Sequence, residues 1–239
     1  MYHEAMIPIH VESAWKGTSD CRSCGIRHMV LFADLNEEDF SQLHTPIDDM
    51  HFEAGRPIYL EGDPAKSVYT LRTGMVKLVR TMLDGRQRIV RVLRPGDVIG
   101  IEALVQSKTD SEAVALSDVG VCRIPVDVLN HLADHSPRLH VRLMQKWHHA
   151  LKEADDWLAQ LNFGSARQRV ANIILKMRNP EDPSFTTLFA REDMGAMLDL
   201  KLETVSREVS HWVKSGAIQP LDKQGRAYRV TNALILEKA

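Results

Sequence analysis

The chain lacks any apolar run approaching the ~18 residues that a membrane-spanning helix needs, so no segment is expected to cross a membrane. Only three cysteines occur among 239 residues: Cys21, Cys24 and Cys122. An odd count excludes a fully paired disulfide scaffold and leaves metal binding, redox chemistry or plain burial. Met1 to Asp20 has no basic start followed by an apolar core, as a secretory signal would have, so a cytoplasmic location is expected. The net charge of -2 shows none of the positive excess of a nonspecific nucleic-acid coater. There is no phosphate loop, no metalloprotease motif and no nucleophile–base pair, so no enzyme is expected. Low-complexity tracts and fixed-period repeats are missing too. What remains, at 44% hydrophobic and 26% charged, is an ordinary globular composition with room for two domains.

Charge is unevenly placed. Between Gly164 and Arg178 the charged residues are Arg167, Arg169, Lys176 and Arg178, with no acid. From Lys201 to the C-terminus seven Lys or Arg face four acids. A phosphate-contacting surface is therefore expected in the C-terminal third.

The chain also changes periodicity twice. From about Ile47 to Pro125 it reads as short alternating strands punctuated by glycine turns. Val68–Arg72 ends at Thr73-Gly74. Met75–Arg80 and Arg88–Leu93 flank Asp84-Gly85, a strong hairpin signal. Such a series predicts a barrel or sandwich. From Pro137 to about Phe163 the pattern is helical. Met144, Trp147, Leu151, Ala154, Leu158 and Leu161 step alternately by three and four, a heptad seam free of charge. Leu143, Ala150 and Trp157 widen it onto a neighbouring stripe. A stripe this wide fits two packing partners, the chain's own barrel and the same helix of a second copy; the pattern equally fits a single amphipathic helix buried in its own monomer. With no charge to repel it, that second copy is expected to dock without a signal.

Gly164-Ser165 breaks this helix, and Ala166–Met177 resumes it. Arg191–Leu198 then reads as a short helix with Met194, Met197 and Leu198 on one face. Asp199-Leu200-Lys201 is a tight joint. Leu202–Ser215 is a second helix, with Val205, Val209, Trp212 and Val213 inward and Gly216 at its end. Two short helices with a three-residue joint fit helix-turn-helix geometry, the alternative being a structural helical hairpin with incidental surface charge. Glu203, Ser206 and Arg207 face outward on the second helix, and these residue types read base edges. Lys201 stands where a Ser or Thr cap is usual and could hold a backbone phosphate instead. Ala217–Gln219 and Arg226–Val230 complete a winged variant.

Several motifs resemble the Crp/Fnr family of transcription regulators. Glu203-Thr204-Val205-Ser206-Arg207 is similar to the recognition-helix signature of its Fnr-type members. Pro95-Gly96-Asp97-Val98-Ile99-Gly100 is similar to the glycine-rich turn of the cyclic-nucleotide-binding barrel. Gly62-Asp63, Thr73-Gly74 and Ala166-x-x-Arg169 fall at family-like positions, and the resemblance spans roughly Cys21 to Val230. It implies an α+β fold. An N-terminal segment (1–30) would carry metal or redox cysteines, followed by a sensory jelly-roll β-barrel (31–136). A dimerisation helix (137–163) and a winged helix-turn-helix domain (164–239) would complete the chain. It further implies a homodimer on double-stranded DNA, at a palindrome of TTGAT-like half-sites about one helical turn apart. Arg207 would contact guanine, Ser206 a thymine, and Glu203 amino groups of the complementary strand. Asp84-Gly85-Arg86 would be a hairpin tip touching RNA polymerase.

The signal is less determined. Gly100-Ile101-Glu102-Ala103 departs from the Gly-Glu of nucleotide-binding members, and Ser107–Val114 holds no arginine for a phosphate, which argues against a cyclic nucleotide. By resemblance, Cys21, Cys24 and Cys122 match three of the four cluster cysteines of Fnr-type oxygen sensors. The fourth position, near Val30, is not cysteine. A 4Fe-4S cluster with His28 as fourth ligand, or with Asp20, His3 or His10, is one reading. Zinc on Cys21, Cys24, His28 and Cys122 is another. Thiol redox sensing and a buried, metal-free Cys122 complete the alternatives. Haem ligation by one of the eight remaining histidines has little to support it. A different class of function would be a ligand-binding or redox protein acting through protein contacts.

Overall fold

The computed structural model describes residues 48–239, which divide into two compact units. The first comprises the described residues up to Thr81 together with Val90–Leu151. The second comprises Met82–Ile89 and Lys152–Ala239.

The first unit is a β-sandwich. Strands β1 (Asp48–Phe52), β8 (Val119–Pro125), β3 (Ser67–Thr73) and β6 (Val98–Ile99) form one sheet in that order. Strands β2 (Pro57–Tyr59), β7 (Glu112–Ala115), β4 (Val76–Thr81) and β5 (Gln87–Leu93) form the other. Alternation explains the two-faced packing. Leu71, Val119 and Val121 of the first sheet meet Tyr59, Val76, Leu78 and Ala113 of the second. Their neighbours Val68, Cys122 and Ile124 face the other way. There they pack with Val128, Leu129 and Leu132 of helix α1 (Val126–His135) and with Leu139 and Leu143. A Cβ at Gly74 would lie 2.2 Å from the Asp118 carbonyl, so the β3–β4 turn requires glycine.

Helix α2 (Pro137–Leu161) begins with proline at its first turn, where a missing N–H costs nothing. Its predicted seam is exposed at Met144, Trp147, Leu151 and Leu158 and half-buried at Ala154. Leu161 departs from the expectation. It is 1% exposed and buried by the chain itself, so it offers nothing to a partner. The reason is local: α3 (Ala166–Lys176) folds back after Gly164, and its Asn172 side chain donates to the Gln160 carbonyl at 2.6 Å. Ser165 and Gln168 close a reciprocal capping box at the start of α3.

The second unit continues with β9 (Phe185–Thr187), α4 (Arg191–Leu198), α5 (Leu202–Lys214), β10 (Ile218–Pro220), β11 (Ala227–Val230) and α6 (Ala233–Glu237). Its three-stranded antiparallel sheet has the order β10-β11-β9. Helices α1 and α6 and strand β9 are additions to the sequence expectation. Among the described residues no helix is long and apolar enough to cross a membrane.

Candidate nucleic-acid interface

Helices α4 and α5 coincide with the expected pair, and their joint shows why three residues suffice. Asp199 takes a left-handed conformation (φ 54°), and the Leu200 N–H donates back to the Gly195 carbonyl at 3.1 Å. Gly195 is needed because a Cβ there would lie 2.6 Å from the Leu200 carbonyl oxygen. Lys201 starts α5 without a side-chain cap. That omission costs ~1 kcal/mol. Burial of Met194, Met197, Leu198, Val205, Val209 and Trp212 contributes roughly 1.5–3 kcal/mol for each large side chain and outweighs it. Val213, expected inward, is only half-buried.

The opposite face of α5 is polar. Lys201, Glu203 and Arg207 are exposed, and Ser206 is half-buried. Positions 203, 206, 207 and 210 share one face by helical spacing. Ser210 spends its hydroxyl on the Ser206 carbonyl at 2.8 Å. The arrangement is an outward stripe of hydrogen-bonding side chains on a helix whose apolar side is fixed. Such a helix can lie in a major groove.

The basic cluster of Gly164–Arg178 serves a different purpose from the one its charge suggested. Arg167 Nε donates to Glu208 at 3.0 Å. Arg169 Nη1 donates to the Leu198 carbonyl at 2.6 Å, closing the end of α4. Lys176 pairs with Glu153 at 3.3 Å and lies over the Trp157 ring. Three of the four cations therefore hold helices together. The wing is tied in the same way, with Arg191 donating to the Tyr228 hydroxyl at 2.7 Å and to the Gly225 carbonyl at 3.1 Å.

Sequence reasoning passed over Glu208. It is an acid on α5 that is 5% exposed and accepts from both Arg167 and Arg207. Burial alone would raise its pKa, but the hydrogen bonds from Arg167 and Arg207 prevail and hold it below the usual carboxylate value. The available signal was its 3.6-residue register with Val205 and Trp212 on the inward side.

The other expected site residues fall elsewhere. Asp84, Gly85 and Arg86 form the β4–β5 turn, with Gly85 at φ 80°. Arg86 donates to Asp84 through its backbone N–H at 3.0 Å and its Nε at 2.7 Å, which lowers the Asp84 pKa. Leu83 beside them is fully exposed. Cys122 lies half-buried in β8, paired in register with Asp49 on one side and Thr70 on the other. Cys21, Cys24 and His28, with Asp20, His3 and His10, lie outside the described residues. Among the described residues no three His, Cys, Asp or Glu side chains are grouped to hold a metal.

Comparison with known proteins adds to this geometry. The model of the cyclic nucleotide-binding domain matches residues 49–136, and that of the Crp-like helix-turn-helix domain matches residues 168–239. The anaerobic regulatory protein of Pasteurella multocida is 27% identical over 223 residues, covering 90% of this chain and 81% of its own. The fumarate and nitrate reduction regulatory protein of Salmonella typhi is 28% identical over 205 residues, covering 83% and 82%. Among solved structures, FixK2 from Bradyrhizobium japonicum superposes with a TM-score of 0.72 at 28% identity, covering 80% of this chain and 96% of that one.

The first domain match raises the question of what in this sandwich could hold an anionic cyclic nucleotide. A Cβ at Gly100 would meet the Tyr59 ring at 3.6 Å, so that ring already lies against the glycine turn. No arginine occurs between Ser107 and Val114. The Thr109 hydroxyl is committed to the Leu60 carbonyl at 2.6 Å.

Proposed function

Since this chain belongs to the Crp/Fnr family of DNA-binding transcription regulators, we propose that it binds as a homodimer to a palindrome of TTGAT-like half-sites. The observation that carries this reading is the placement of exposed Glu203 and Arg207 and half-buried Ser206 along one face of α5, opposite its buried apolar side. Arg207 takes guanine, Ser206 a thymine and Glu203 amino groups of the other strand, while Lys201 and the N-terminus of α5 lie on phosphate. A second copy of the chain covers Met144, Trp147, Leu151 and Leu158. The stripe is uncharged, and its three-and-four spacing makes it complementary to itself. The turn at Asp84, Gly85 and Arg86 is the surface offered to RNA polymerase, in the cytoplasm where the DNA lies.

Oxygen or redox state is the signal we assign to the dimer. The names of the relatives point to anaerobic regulation. The donor set of Cys21, Cys24, Cys122 and His28 supplies three thiolates and one imidazole, enough for a 4Fe-4S cluster. When bound, such a cluster supplies oxygen-labile redox chemistry. The chain's part is to bring a thiolate at the centre of β8 together with the N-terminal pair.

Mobility shift on a TTGAT palindrome at stated salt tests the DNA reading. Arg207→Ala is expected to lose preference for the guanine by about 1–3 kcal/mol of discrimination. Unchanged preference would remove Arg207 from the recognition surface. Anaerobic reconstitution with iron and sulfide tests the signal. A broad absorption band that bleaches in air supports the cluster, and a colourless zinc-loaded or metal-free protein rules it out.

A further inference from the structure

Helix α5 carries one acid that faces inward. Glu208 follows Arg207 directly, and its two carboxylate oxygens are divided between two arginines. Oε2 accepts from Arg167 Nε at 3.0 Å, and Oε1 accepts from Arg207 Nε at 3.2 Å. Its side chain is 7% exposed, against 50% for Arg167 and 70% for Arg207. A carboxylate withdrawn from water is costly unless paired and hydrogen-bonded. The two arginine contacts offset that cost, which leaves open a reason for dividing one acid between them.

The guanidinium of Arg207 supplies one. It has five N–H donors in a fixed plane. Guanine offers two acceptors, O6 and N7. Arginine can meet them side-on, with Nε and one Nη, or end-on, with both Nη groups. Once the Nε–H is donated to Glu208, the end-on edge is the one left to the base. The same carboxylate is held from behind by Arg167 on α3, so the long side chain of Arg207 is ordered before DNA arrives.

We infer that Glu208 is a positioning and specificity-determining residue, which clamps Arg207 by its Nε–H so that its two Nη groups face a guanine. This inference rests on the reading of Arg207 as a base contact. It adds that the contact is preorganised, and by which group.

The test measures the ratio of Kd values for the palindrome and for the same palindrome with the guanine replaced by adenine in both half-sites. It uses the full-length dimer at one salt concentration. Glu208→Gln is expected to lower that ratio by about 10-fold, part of what a bidentate arginine supplies. Binding to unrelated DNA should stay within about 2-fold. In an Arg207→Ala background the same substitution should leave the ratio unmoved, because Glu208 acts only through Arg207. Weaker binding of both sites by an equal factor would mean a structural role and overturn the inference. So would a Glu208→Gln ratio equal to that of the unaltered protein while Arg207→Ala abolishes it. If Arg207→Ala itself leaves the ratio intact, the base-contact reading falls, and this inference with it. Should Glu208→Gln not fold, Arg167→Gln on the exposed side of the clamp takes its place. A fall in the ratio is expected there, and an unchanged ratio overturns the anchored clamp.

Discussion

Helices α2 and α5 are both amphipathic, yet they dispose of their apolar sides in opposite ways. Helix α5 buries Val205, Val209 and Trp212 within its own unit and turns a polar stripe outward. Helix α2 buries Leu139, Leu143, Trp157 and Leu161 and still leaves Met144, Trp147, Leu151 and Leu158 in water. A helix that reads a groove needs its apolar side satisfied at home, so that only hydrogen-bonding groups meet the ligand. A helix that joins two copies needs the reverse. Under the proposed function the contrast assigns assembly and recognition to different helices of one chain, so that each should yield to disturbance without the other.

The largest effect is expected from a charge in the middle of the α2 stripe. Leu151→Glu should turn the dimer into a monomer in sedimentation velocity, with the unaltered protein dimeric even when metal-free. Affinity for the palindrome should fall at least ~100-fold as the two half-sites cease to be linked. A persistent dimer would erase the contrast between the helices, because the exposed stripe would then have no partner of its own kind.

A smaller effect concerns how α5 is held. The Glu208 pKa is lowered in the folded protein, so the unfolded chain binds more protons. Stability from this group is present above about pH 4.5, the ordinary value, and is lost as pH falls through the lower folded value. Thermal melting of the C-terminal unit should therefore drop on the acid side, and Glu208→Gln should flatten that part of the profile. An unaltered slope in the variant would mean that the arginines do not hold the carboxylate in solution.

The smallest effect belongs to Lys201. Lys201→Ala should weaken all DNA about equally and reduce the salt slope of binding by about 1 per half-site. A change in base preference instead would make Lys201 a reader and widen the recognition stripe.

These differences track what a sequence can disclose. Helix α4 and the start of α5 were legible because caps, tight joints and apolar spacing are local. The strands around Asp84-Gly85 were legible for the same reason. Helix α1 was not: it is only ten residues long, and it follows directly on β8 with no capping side chain to mark its start. Glu208 was missed because an acid on a helix reads as solvated, and its partner Arg167 lies 41 residues away. Arg169 and Lys176 counted towards a basic excess suited to phosphate because their charge was visible, whereas the Leu198 carbonyl and Glu153 that engage them were not. Leu161 fits the seam perfectly in spacing. It is nevertheless 1% exposed, in a stretch where Asn172 of α3 is bonded to the neighbouring Gln160 carbonyl, which spacing along α2 does not disclose.

The joint of Asp199, Leu200 and Lys201 sets more than a change of direction. Each residue of an α-helix turns its successor by about 100°. One residue gained or lost between Leu198 and Leu202 would swing the stripe of Glu203, Ser206 and Arg207 a quarter-turn or more around the helix axis. The reading side chains would then point along the groove wall while every one of them was still present. If the stripe reads bases as proposed, the length of that joint is part of the recognition code, written in backbone rather than in side chains.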